Sequence, residues 1–317
     1  MWTMKHISWV VICLILITGS ILISPEADAA VDDTQLANRW APVHYQDTDS
    51  SDYDADYLSA VNFDGDWDTK NNWEHQDDDQ KRLQGNVYYS VSETKTHWFV
   101  LYGFYHPRDW VDWWWNPLEL DTHENDMEGA LMVIRKNETA YGKLEGMVTV
   151  FHNDFYAYKT SDSPLRDGKE TIDGTIRFKK VGESDRPTTF QEAKGHGLKA
   201  WGGGDFPGGD GVIYYPGDKS EVPEHGKDRD VKYRLIDVFA KDGLWAHRKD
   251  SKTFASWGSF RGDNGKDNAA HAPWKWDDWN DGEVKAGEMA TDPAHLVDEY
   301  FDGLGDFSKT YLHNPYK

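Results

Sequence analysis

Hydrophobic and polar positions alternate with period two along much of this chain. At 87–92 and 97–105 Val, Tyr, Phe and Trp dominate, with polar residues 93–96 between them. That arrangement predicts a β-hairpin. A second pair of strands is predicted at 130–135 and 144–151, joined by the polar stretch 136–143. Further strands are expected at 155–158, 174–179, 233–239 and 244–247. Helical periodicity is rare. Residues 34–40 predict one short helix. Residues 294–301 predict another behind Asp292-Pro293, where proline suits the first turn. Residues 201–218 hold Gly202-Gly203-Gly204, Pro207-Gly208-Gly209 and Pro216-Gly217, too many breakers for a regular element. The pattern predicts an all-β chain. Its expected form is a single two-sheet β-sandwich over 30–317, with long decorated loops and few short helices.

The first residues follow a different rule. Lys5 and His6 precede an apolar run at 9–23, and Ala27-Asp28-Ala29 follows. This is the order of a cleaved signal peptide over 1–29, so the mature chain is expected to be secreted and extracellular. The apolar run is shorter than the roughly 20 residues a spanning helix needs. The one cysteine, Cys13, lies inside it. The mature chain then has no disulfide and no thiol ligand, which favours a bacterial exported protein over a small eukaryotic one.

The formal charge of −22 repels phosphate backbones and argues against nucleic acid as a partner. It suits hard cations, or simple solubility. The acidic runs at 47–56 and 64–68 read as solvated loops. Sixteen Trp and sixteen Tyr are many for a chain of this size; some are expected in the core, and others are candidates for a carbohydrate or membrane contact.

The chemistry concentrates between 105 and 134. Asp126 and Glu128 open an apolar strand and share a face if that strand is already extended there. His123 precedes them, and Asp109 ends the neighbouring strand. Three carboxylates and one imidazole suit Ca²⁺, Mg²⁺ or Mn²⁺ better than structural Zn²⁺. The alternative reading is a polar turn. Trp110, Trp113, Trp114 and Trp115 lie between Asp109 and His123 and are candidates for stacking on a sugar or settling at a membrane surface. His196, between Gly195 and Gly197, is a candidate donor, base or ligand contact, or else an ordinary loop histidine. His152 and Asp154 follow another strand and are candidates for the same cluster. Asp263, Asn264 and Asp267 resemble a calcium loop only in composition. No nucleophile elbow, zinc-helix motif or phosphate-binding glycine loop is present.

His123-x-x-Asp126-x-Glu128-Gly129 resembles the Gly-His-Arg-His-Asp-Trp-Glu heptad of the necrosis- and ethylene-inducing protein family. Pro107-Arg108-Asp109 resembles that family's Pro-Lys-Asp loop, and Gly195-His196-Gly197 its Ala-His-Gly. The resemblance implies an actinoporin-like β-sandwich. It also implies a divalent cation held by Asp109, His123, Asp126 and Glu128, a sphingolipid head group as ligand, and membrane damage. Residues 36–43 and Ala272-Pro273-Trp274 are similar to vacuolar protein sorting-associated protein 62-like proteins. Thr122, Asn125 and Met127 depart from the heptad, and the cysteine pair of plant-active members is missing.

The leading expectation is a secreted, toxin-like binding protein dependent on Ca²⁺ or Mg²⁺. It would recognise a glycan or glycolipid head group, on a target membrane if cytolytic. Two alternatives stay open. One is a metal-dependent hydrolase of polysaccharide or phosphodiester, with His196 as the catalytic proton carrier. The other is a metal that only staples loops.

Overall fold

The alternating segments become a ladder of hydrogen-bonded strands. The structure is a computed structural model and describes residues 31–78, 82–111, 122–262, 267–279 and 284–317. The expected signal peptide lies outside them, as do Asp263 and Asn264. Residues Val31–Lys317 make one compact unit. In chain order the main strands are β1 (Val43–Gln46), β2 (Asn86–Thr94), β3 (His97–Asp109), β4 (His123–Arg135), β5 (Lys143–Phe151), β6 (Asp154–Lys159) and β7 (Arg166–Asp167). They continue with β8 (Ile172–Thr175), β9 (Phe178–Val181), β10 (Ser184–Gln191), β11 (Leu198–Ala200), β12 (Val212–Pro216) and β13 (Val231–Asp237). The helices are short: α1 (Asp33–Trp40), α2 (Asn72–Asp78), α3 (Glu288–Thr291) and α4 (Pro293–Tyr300). Asp32 caps α1 by accepting from the Gln35 amide at 2.7 Å, and the helix buries Leu36, Ala37 and Trp40.

Two separate sheets were expected; hydrogen bonding instead runs through one. Among the described residues thirteen strands join a single sheet along the path β11-β10-β1-β12-β13-β2-β3-β4-β5-β6-β8, with β9 beside β10 and residues 311–313 beside β2. The β1/β10, β12/β13, β13/β2 and β6/β8 pairs are parallel, so the sheet is mixed. The parallel pairs at β12, β13 and β2 carry the ladder across what alternation alone reads as two layers. The sheet curls, because β11 at one end of the path contacts β4 and β5 near the other. Gly197 makes that approach possible: a Cβ there would lie 2.6 Å from the Phe151 ring.

Both faces of the central strands are covered. Val100, Tyr102 and Phe104 on β3 and Ala130, Met132 and Ile134 on β4 pack inside the curl with Leu198 and Tyr214. The alternate residues, Phe99, Leu101 and Tyr105 on β3 and Met127, Leu131 and Val133 on β4, pack against Trp274, Trp276, Leu296 and Phe301 from the C-terminal segment. Such double burial explains why these strands read as nearly continuous apolar runs.

Three segments differ from expectation. Residues 201–218 contain β12, which pairs with β1 on one side and β13 on the other. Two-sided long-range pairing outweighs the flanking glycines and prolines. Residues 244–247 form turns, with the Ala246 amide donating to Gly243 and the His247 amide to Leu244. The strand expected at 174–179 ends at Thr175, and the chain resumes extension at Phe178 in a different pairing, with β10.

Gly129 shows how tightly the outer layer seats on β4. A Cβ there would lie 2.1 Å from Trp276 Cη2 and 2.7 Å from the Tyr102 carbonyl oxygen. Trp276 is pinned in place, since its Nε1–H donates to the Met127 carbonyl at 2.8 Å. Gly129→Ala is expected to lower stability by about 1–3 kcal/mol through overpacking. Gly174→Ala, whose Cβ meets only ordinary contacts at 3.6 Å, serves as the control. Urea unfolding of the two variants checks the difference.

Candidate functional site

Asp126 and Glu128 have the same parity on β4 as Ala130, Met132 and Ile134. The stripe that is apolar deep in the curl thus turns acidic at the strand's beginning. In register, His106 lies opposite Asp126 and Asp109 opposite His123. Asp109, His123, Asp126 and Glu128 line one cavity of about 270 Å³. His152 and Asn153 contribute from the turn after β5, and His271, Trp276 and Asp277 from the C-terminal segment. The first four are the cation ligands expected from the sequence, and His152 is a further residue expected beside them. His271 and Asp277 are not expected there from the sequence, because no local spacing connects them to β4.

The hydrogen bonds define the electrostatics. Asp126 accepts from the Met127 amide at 2.8 Å and from His196 Nδ1 at 3.1 Å. His196 Nε2 donates to Asp56 at 3.2 Å, so both ring nitrogens carry protons toward carboxylates. Burial opposes that charge, but the bonds to Asp126 and Asp56 raise the imidazole to about 9. His106 stacks on His196 at 3.8 Å between ring centroids. Burial first, then the neighbouring His196 charge, holds His106 well below the usual histidine range. Gln191 accepts from His106 and donates to the His196 carbonyl, fixing both.

Glu128 accepts from the His152 amide at 3.0 Å through Oε1, while its buried Oε2 has no hydrogen-bond partner. Burial first, and Asp126 second, hold its carboxyl well above the usual range. His152 Nε2 meets Glu192 at 3.2 Å, a bond that raises this imidazole. His123 Nδ1 lies 3.0 Å from the Asn125 carbonyl and must donate to it. In the neutral ring Nε2 then carries the lone pair, and it faces an Asp109 carboxylate oxygen at 3.5 Å.

These donors fit a hard cation: carboxylate oxygens, one imidazole with its second nitrogen anchored, and an orphaned buried oxygen. Among the described residues no three His, Asp or Glu side chains already stand close enough to share one ion. Ligation therefore requires side chains to rotate within the cavity.

The remaining site expectations separate. Trp113, Trp114 and Trp115 lie outside the described residues. Trp110 is buried, donates its Nε1–H to Asp56 at 3.2 Å, and is not among the residues lining the cavity. It packs the frame where a ligand platform was expected. His196 is fully buried with both nitrogens engaged, so it positions Asp126 and has no face toward a ligand. Asp154 lies at the start of β6 and is not among the cavity residues. Asp56, read in sequence as part of a solvated run, is fully buried and also accepts from the Lys194 and Asp49 amides.

His196 sets a pH signature. Its folded value of about 9 lies above the ordinary 6.5, so its stabilisation is complete below 6.5 and is lost as pH rises through about 9. His196→Gln is expected to destabilise the protein by about 3–5 kcal/mol near neutral pH, because Asp126 and Asp56 lose a buried counter-charge. It should also flatten the decline in stability between 6.5 and 9. Urea titrations of both proteins across that range, in EDTA, check it.

A family model described as necrosis inducing protein (NPP1) matches residues 35–205. No curated protein matches. Among solved structures, NLPPya in complex with glucosamine is 15% identical with a TM-score of 0.39, covering 86% of this chain and 93% of that one. Necrosis and Ethylene inducing Protein 2 from the causal agent of cocoa's Witches Broom disease is 12% identical with a TM-score of 0.36, covering 78% and 88%. The non-toxic HaNLP3 protein is 14% identical with a TM-score of 0.38, covering 77% and 87%.

Proposed function

The chain belongs to the necrosis-inducing protein family, and from that premise we propose that its acidic cavity is a divalent-cation site for binding a glycan or glycolipid head group outside the cell. The observation that carries this reading is the convergence of Asp109, His123, Asp126 and Glu128 on one cavity, with a buried Glu128 oxygen left unpartnered. Bound there, Ca²⁺ or Mg²⁺ would supply positive charge able to accept hydroxyl oxygens of a sugar. The protein's own residues do the rest. His196 and the Met127 amide orient Asp126, the Asn125 carbonyl orients His123, and the His152 amide orients Glu128.

Secretion, a target membrane surface and cytolysis belong to the same proposal, as does an actinoporin-like, two-layered outline for the curled sheet. The order of charged, apolar and small residues at 1–29 supports export. The hydrolase alternative loses its proton carrier, since both His196 nitrogens are bound to carboxylates in a buried setting.

Ca²⁺ or Mg²⁺ is expected to raise the melting temperature of the EDTA-treated protein. At about 100-fold its dissociation constant the ion adds roughly 2.7 kcal/mol to the native state. Asp126→Ala and Glu128→Ala should each abolish the shift. Glucosamine and mannosamine, then glycolipid head groups, are the ligands to titrate by calorimetry with and without EDTA. Thermal shift without any metal-dependent ligand binding would reduce the ion to a staple. No shift with either ion would remove the cation from the proposal.

A further inference from the structure

We propose a second binding site, for a neutral saccharide, in a cavity of about 300 Å³ bounded by the end of α1, the start of β5 and the start of β9. Trp40 and Phe178 give it apolar walls. Phe178 is 42% exposed, and among the described residues no other ring stacks on it. Trp40 is fixed by its Nε1–H, which donates to the Tyr141 carbonyl at 2.9 Å. The Arg39 guanidinium lies 4.2 Å over the Trp40 ring and donates to the Asp185 carbonyl at 3.0 Å. Lys143 pairs with Asp162 at 2.9 Å, and Thr160 donates to the same carboxylate at 2.9 Å.

The charges decide the ligand class. Arg39 and Lys143 are balanced by Asp162 and Asp185, all four on the cavity wall. An anion would meet two carboxylates, and a cation would meet a guanidinium and an ammonium. A polyol uses both signs, because each hydroxyl donates and accepts. An exposed ring beside such a rim matches a pyranose, which has an apolar face and hydroxyls at its edge. The volume lies at the small end for ligand cavities, about 300 Å³ and up, and suits one or two sugar units. The site stands apart from the acidic cavity: Lys143 opens β5 and Phe151, next to His152, closes it. That strand length is roughly 27 Å.

The test is saturation-transfer NMR on the protein in EDTA, with cellobiose, maltose and N,N′-diacetylchitobiose as probes. The chelator removes divalent ions, so the result does not depend on the cation reading. At least one disaccharide is expected to receive saturation, and Phe178→Ala should weaken its binding by about tenfold. Phe178 is exposed, so the variant is expected to fold; Asp162→Ala, also on the surface, should weaken binding as well. Absence of transfer to all three sugars overturns the proposal. So does wild-type affinity in both variants, or a preference for glucuronate over the neutral sugars.

Discussion

A buried bridge of one imidazolium between two carboxylates, Asp126–His196–Asp56, is the interaction on which the cavity depends. It ties β4 in the middle of the sheet to the loop between β10 and β11 and to the turn at 53–56. All three groups are withdrawn from water, and each such charge costs several kcal/mol unless it is fully paired. The bridge therefore holds only when the sheet is curled enough to bring its ends together. Gly197 against Phe151 sets that closure sterically, and Gln191 locks the loop by bonding both stacked histidines. Once Asp126 is fixed, Glu128 follows two residues along on the same face.

How much of this is legible in sequence depends on the range of the forces involved. The long strands β2 to β5 are visible as segments rich in Val, Tyr, Phe, Leu and Met. The shared face of Asp126 and Glu128 follows from the alternation of side chains along a strand. The resemblance of 105–134 to the family heptad and its loop points to Asp109, His123, Asp126 and Glu128, four of the residues that line the cavity. What was not legible is what distant segments decide. Asp56 looks like any other aspartate in an acidic run until His196 and Trp110 are placed beside it. β12 hides between glycines and prolines because its stability comes from β1 and β13. Asn125 replaces a histidine of the heptad, yet only the fold shows its work. It adopts a left-handed backbone with φ of 62°, donates to the Thr69 and Arg261 carbonyls, and accepts from Tyr105 and Asn72.

The family match covers residues 35–205, which include β1 to β11 and every acidic ligand candidate. The rest of the chain is not an appendage. β12 and β13 sit inside the sheet path, between β1 and β2. His271, Trp276 and Asp277 contribute to the lining of the cavity. Acidic side chains reach the cavity from both parts of the chain: Asp109, Asp126 and Glu128 from the matched segment and Asp277 from beyond it.

The pairing of β1 carries a consequence for how the molecule assembles. His44 on β1 meets Thr189 on β10, 145 positions later, and β12 closes its other edge later still. Contacts of that span form slowly, because a long loop must close before any hydrogen bond is gained. As the chain grows from its N-terminus, β1 waits with both edges bare while most of the sheet is still to be made. Its edges stay open to foreign strands throughout that interval. A factor that shields residues 43–46, or delays folding until the whole chain is present, would protect these edges until β10 and β12 arrive.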